Sequence, residues 1–71
     1  MTRTYTIADA LTAEQVAAWS HEQVVEQLRW RQSVIAGPTE HEPNFPVGMT
    51  DAEKDAIIED IRILIDANMK F

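Results

Sequence analysis

The chain lacks several features that would mark common classes of protein. It contains no cysteine, which excludes disulfide bonds and thiolate zinc sites. Its two glycines, Gly37 and Gly48, do not have the spacing of a phosphate-binding or dinucleotide-binding loop. The longest apolar cluster, residues 61–67, is interrupted by Arg62 and Asp66 and falls short of the roughly 20 residues that a transmembrane helix needs. The first six residues lack the apolar run of a signal peptide.

Basic residues are also few. Six Lys and Arg stand against twelve Asp and Glu, which gives a net charge of −6. Most of the excess lies in residues 40–60, which hold seven acids and one lysine. Direct binding to nucleic acid is disfavoured, because that affinity comes largely from Lys and Arg on phosphates. We expect residues 1–71 to form one soluble, cytoplasmic domain that binds neither nucleic acid nor a membrane.

The residues that are present predict an all-α fold. Three hydroxyl residues stand three positions before a Gln or Glu, which is the spacing of a capping box: Thr12, Ser20 and Thr50. Gly37-Pro38 is a helix stop, since glycine accepts the left-handed conformation and proline cannot continue a helix. All three prolines and both glycines fall within residues 37–49, which predicts a loop.

These signals place two short and two long helices along the chain. The short helices are expected near 7–11 and from 13 to about 18, and the long ones near 21–36 and 51–67. We expect the long pair to form a hairpin with the short helices packed across it. Ser20 leaves an alternative open, because it either caps a new helix or lies inside one continuous helix over 13–36.

The last predicted helix carries two apolar stripes. The broad one faces the expected core and consists of Ile57, Ile58, Ile61, Leu64 and Ile65. The narrow one consists of Ala52, Ala56, Ile63 and Ala67. A helix with two apolar stripes is expected to have two neighbours, so the sequence predicts a possible homodimer or a larger helical assembly.

Candidate contacts for a protein partner cluster around the tryptophans. Trp30 lies between two arginines, and Trp and Arg are enriched among interface hot spots. The candidate residues are Trp30, Arg29, Arg31, Val34 and Trp19. The alternative is that both tryptophans belong to the core, where buried aromatic side chains dominate the energetics.

No enzymatic constellation is present, and we predict no catalytic residue, cofactor or metal. Ser20 and His21 are neighbours whose side chains diverge by about 100° on a helix, so they are poorly placed as a nucleophile and base. Residues 40–42, Glu-His-Glu, carry metal-ligating atoms, with His21 as a remote addition. The run has no second cluster to converge with, so we interpret it as a solvated loop.

An acidic ladder opens the last helix, at Asp51, Asp55 and Glu59. It is either a solvated helix start that complements the helix dipole or a surface for a basic partner. The sequence therefore predicts a small acidic protein–protein interaction module, an adaptor or an inhibitor of a larger protein, by analogy with phage-type host-takeover factors. The alternatives are a structural subunit of a helical oligomer or larger complex, and an acidic nucleic-acid mimic that blocks a basic site.

Overall fold

The computed structural model describes residues 4–36 and 43–71. These residues form a short 3-10 turn and three α-helices, without a strand. The 3-10 turn is Ile7–Asp9, and the helices are α1 Ala13–Ala17, α2 His21–Val34 and α3 Asp51–Met69. The all-α prediction is confirmed. The predicted loop 37–49 is described only from residue 43 onward, and its first part lies outside the described residues.

Each α-helix begins at a hydroxyl residue that the sequence marked. The side chains of Thr12, Ser20 and Thr50 each accept a hydrogen bond from the backbone N–H three residues later. Ser20 has an extended backbone, with φ −72° and ψ 161°. The chain therefore changes direction between α1 and α2, and the alternative of one continuous helix over 13–36 is wrong.

Helices α2 and α3 pack against each other in antiparallel fashion. His21, at the start of α2, has its Nε2 atom 2.8 Å from Oδ1 of Asn68, near the end of α3. Further along α2, Arg31 contacts Asp60. Ile35, just past the end of α2, packs in the same cluster as Ile57. Residues later in α2 thus contact residues earlier in α3, which is the pattern of an antiparallel pair.

The core consists of two adjoining apolar clusters. One contains Tyr5, Ile35, Ile57 and Ile61, and the other contains Val16, Val24 and Leu64. Leu28 packs against both. Fully burying one such aliphatic side chain stabilises the fold by about 1.5–3 kcal/mol. The isoleucine face predicted for the last helix is therefore the face that holds the molecule together.

A residue in the left-handed conformation follows the end of α2. Ala36 has φ 55°, a backbone region that costs a residue with a Cβ roughly 1–2 kcal/mol. The backbone N–H of Asn44 donates to the carbonyl of Ile35 at 2.9 Å, which brings the chain back beside the end of α2. Gly37, to which the sequence assigned the terminating role, lies outside the described residues.

Candidate interaction surfaces

A buried ion pair between α2 and α3 is the central polar feature of the molecule. Arg31 and Asp60 are each only 1% exposed, and Nε of Arg31 donates to Oδ2 of Asp60 at 3.1 Å. The same Oδ2 accepts from the hydroxyl of Tyr5 at 2.6 Å. The backbone N–H of Leu11 donates to Oδ1 at 2.9 Å. The carboxylate thus receives hydrogen bonds from the N-terminal segment as well as from α2.

The rest of the guanidinium is also enclosed. Nη1 of Arg31 donates to the backbone carbonyl and to Oε1 of Gln27, at 3.2 and 2.9 Å. Nη2 donates to the carbonyl of Asp9 at 2.8 Å. The guanidinium carbon lies 4.9 Å from the centre of the Trp30 ring, within the range of a cation–π interaction. Among the described residues, every buried polar side-chain atom has a hydrogen-bond partner.

Tyr5 is a member of this network that the sequence did not identify. Burial raises the pKa of its hydroxyl well above the usual value, and the hydrogen bond to Asp60 raises the pKa further. The ring also lies 5.9 Å from that of Trp30, centre to centre. A neutral Tyr5 hydroxyl that donates to the buried Asp60 carboxylate is a structural element of the core.

Arg31, which the sequence predicted to contact a partner, instead has its side chain buried in the core. A signal for this was present in the sequence. Arg31 lies between Leu28 and Ile35 on the apolar arc of α2, and Asp60 lies between Ile57 and Leu64 on that of α3. A single positive charge among the apolar residues of one helix and a single negative charge among those of the helix facing it indicate a buried ion pair.

The other candidate contacts occupy different environments. Trp30 and Val34 are partly buried and pack against the cluster that contains Tyr5 and Ile35. Trp19 is partly buried against the second cluster. Arg29 is exposed. The structure therefore brings Trp30 and Val34 together and separates them from Trp19.

The three residues of the acidic ladder are exposed along the first half of α3. Oδ1 of Asp51 lies 4.0 Å from Nζ of Lys54, and Oε2 of Glu59 lies 3.9 Å from Nη1 of Arg62. Asp55 is exposed between them. Asp60 belongs to the same acidic stretch of sequence, but it points into the core and adds nothing to this surface.

The described residues line two depressions that carry apolar side chains. The first, the Val34 cleft, has a volume of about 370 Å³ and lies between the N-terminal segment, the end of α2 and residues 46–49. Val34, Pro46, Val47 and Met49 supply apolar lining. Val47 is fully exposed, and the turn that presents it includes Gly48 with φ 89°.

The second depression, the α1–α3 groove, has a volume of about 390 Å³. Its apolar lining includes Ala13 and Ala17 from α1, and Ile63 and Ala67 from α3. Ile63 and Ala67 belong to the narrow stripe that the sequence predicted. Phe71 lines the end of the groove and stacks on His21, with ring centres 4.6 Å apart.

Comparisons with known proteins returned no relative. No family model matches the chain, and neither a curated protein nor a solved structure matches it. Within residues 4–36 and 43–71, no group of three or more His, Cys, Asp or Glu is arranged to hold a metal ion. The Glu-His-Glu run at positions 40–42, which we interpret from its sequence as a solvated loop, lies outside those residues. None of the described helices is long and apolar enough to cross a membrane.

Proposed function

We propose that this chain is a protein–protein interaction module, an adaptor or an inhibitor of a larger protein. The observation that carries the proposal is the Val34 cleft, an apolar depression whose rim carries the fully exposed Val47. Exposed apolar side chains that stand alone are common. An exposed valine beside an open apolar cleft is a stronger indication, because together they form a continuous apolar surface.

The size and lining of the cleft define the kind of contact it would make. A volume of about 370 Å³ lies at the lower end of the range for binding pockets, so it suits one or two large side chains of a partner. Apolar side chains share the lining with the hydroxyl residues Thr4, Thr6 and Ser33, and Glu53 is its acidic residue. Since Oε1 of Glu53 already accepts from the backbone N–H of Thr50 at 2.9 Å, the expected partner presents an apolar or aromatic anchor.

A comparison of two exposed apolar positions tests the proposal. The full chain and two variants, Val47→Glu and Ile7→Glu, would serve as baits in pull-downs from the native host with quantitative mass spectrometry. Ile7 is also exposed but does not line the cleft, so it is a matched control. We expect a protein that the wild type and Ile7→Glu capture to be lost with Val47→Glu. Equal capture by all three baits would contradict the assignment of the cleft.

A second candidate function is docking on a basic site, for which the exposure of Asp51, Asp55 and Glu59 on α3 is the supporting observation. Docking of this kind is steered by charge, so its on-rate falls as salt shortens the Debye length from about 10 Å at 0.1 M to about 3 Å at 1 M. Asp55→Asn combined with Glu59→Gln should then weaken binding of the captured partner. Binding that is indifferent to salt and to these changes would leave the ladder as a solvated helix face.

A further inference from the structure

The α1–α3 groove is an apolar surface that one short helix leaves partly open. Helix α1 has only five residues, whereas the stretch that lines the groove opposite it runs from Glu59 along α3 to the C-cap Lys70, about 17 Å at 1.5 Å per residue. Ile63 and Ala67 pack against the second core cluster from one side and line the groove on the other. A longer element than α1 is needed to cover this face.

The charged side chains along the groove alternate in sign. In order along the chain they are Glu59, Arg62, Asp66 and Lys70. All four are well exposed, between 64% and 74%. Within the chain they form two separate pairs, with Nη1 of Arg62 3.9 Å from Glu59 and Nζ of Lys70 3.2 Å from Asp66. Exposed pairs of this kind are weak and readily exchange partners.

Because the charges alternate in sign, two antiparallel copies of this face would place opposite charges side by side. From the N-terminal to the C-terminal end the charges are negative, positive, negative, positive. In a second copy that runs in the opposite direction the order is positive, negative, positive, negative, so each charge lies opposite one of the other sign. A two-fold axis near residue 64 would align α3 antiparallel with a second α3. Glu59 would then lie opposite Lys70 of the second copy, and Arg62 opposite Asp66 of the second copy. Such an isologous contact uses the same surface on both molecules.

We propose that the α1–α3 groove binds a second copy of this chain, with the two α3 helices antiparallel. The groove's four charges sum to zero, whereas the first half of α3 is acidic, so this is a face where two chains of net charge −6 can meet without acid facing acid. The antiparallel arrangement also sends Asp51 and Asp55 of the two copies to opposite ends. This surface is separate from the Val34 cleft, so a test of self-association is independent of a test of partner binding at that cleft.

Complementary charge reversals test the arrangement. Glu59→Lys with Asp66→Lys makes the groove's charges all positive, and Arg62→Glu with Lys70→Glu makes them all negative. Sedimentation equilibrium of the full chain between about 10 μM and 1 mM, the range expected for a small interface, should show the 8.1 kDa monomer in equilibrium with a dimer. Each double variant alone should remain monomeric, and an equimolar mixture of the two should recover the dimer.

The recovery in the mixture cannot come from attraction between net charges. The first variant has a net charge of about −2 and the second about −10, so the two repel each other overall. Asp51→Lys with Asp55→Lys, which makes the same charge change elsewhere on α3, should dimerise as the wild type does. Circular dichroism would confirm that each variant is folded. A wild type that is monomeric throughout the range, or a mixture of reversed variants that stays monomeric, would overturn the proposal.

Discussion

Asp60 and Glu59 are neighbours on α3, yet their ion pairs have opposite characters. The Asp60–Arg31 pair has a 3.1 Å contact between side chains that are each 2% exposed. The Glu59–Arg62 pair has a 3.9 Å contact between side chains that are 64% and 67% exposed. Water screens the second pair and solvates either residue when the other is removed. In the first pair, loss of one partner leaves a charge buried without compensation.

The two pairs also differ in what they connect. Glu59 and Arg62 belong to the same turn of α3, so their contact adds nothing to the tertiary structure. Asp60 joins three parts of the chain, because it accepts from Tyr5 and from the backbone of Leu11 as well as from Arg31. The buried carboxylate therefore fixes the N-terminal segment on the α2–α3 pair. The exposed pair can change without moving any element.

Asp60→Asn should have the largest effect on stability. The change keeps the shape of the side chain but leaves the Arg31 guanidinium buried without a counter-charge, which costs about 3–5 kcal/mol. For a small domain this is a large part of a total stability of about 5–15 kcal/mol. Urea denaturation followed by tryptophan fluorescence measures the loss, with Glu59→Gln as the matched control. An Asp60→Asn variant as stable as that control would contradict the structural role of the pair.

Tyr5→Phe should have the next largest effect. The variant keeps the ring but removes the hydroxyl that donates to Asp60 at 2.6 Å. Because the carboxylate is buried and loses one donor, we expect a loss of about 1–3 kcal/mol in the free energy of unfolding at neutral pH. The same urea titration measures it. An unchanged midpoint would mean that the carboxylate does not depend on the hydroxyl.

The raised pKa of Tyr5 adds a pH dependence to this effect. Since burial and Asp60 raise the pKa above the unfolded value of about 10, the folded state holds the proton more tightly than the unfolded state. The contribution of the Tyr5 hydroxyl to the free energy of unfolding is therefore complete below pH 10 and declines as the pH rises beyond it. The difference in the free energy of unfolding between the wild type and Tyr5→Phe should therefore become smaller above pH 10. Tyr5 is the chain's single tyrosine, so tyrosinate absorbance reports its ionisation directly.

The sequence predicted the local structure better than the tertiary contacts. Helix starts at Thr12, Ser20 and Thr50 follow from hydrogen bonds that span three residues, so a short pattern contains the whole signal. The positions of Arg31 and Asp60 among apolar residues are visible in the sequence, but their pairing depends on how α2 and α3 align across the segment that joins them, which no local pattern determines. The narrow apolar stripe predicted part of the α1–α3 groove, because Ile63 and Ala67 of that stripe line it. No sequence pattern predicted the Val34 cleft, because residues from separate parts of the chain form it.

Glu59→Gln should have the smallest effect, and two small terms of opposite sign explain why. The change removes the exposed pair with Arg62, a loss of about 0.2–0.5 kcal/mol, and relieves the repulsion between Asp55 and Glu59 one helical turn apart, a gain of similar size. We expect the unfolding free energy to change by less than about 0.5 kcal/mol.

Urea titrations at low and high salt would be made at a protein concentration low enough to keep the chain monomeric. Salt should bring the wild-type and variant curves closer together, because it screens both terms. A loss above about 1 kcal/mol that persists at high salt would show that Glu59, like Asp60, has a buried role.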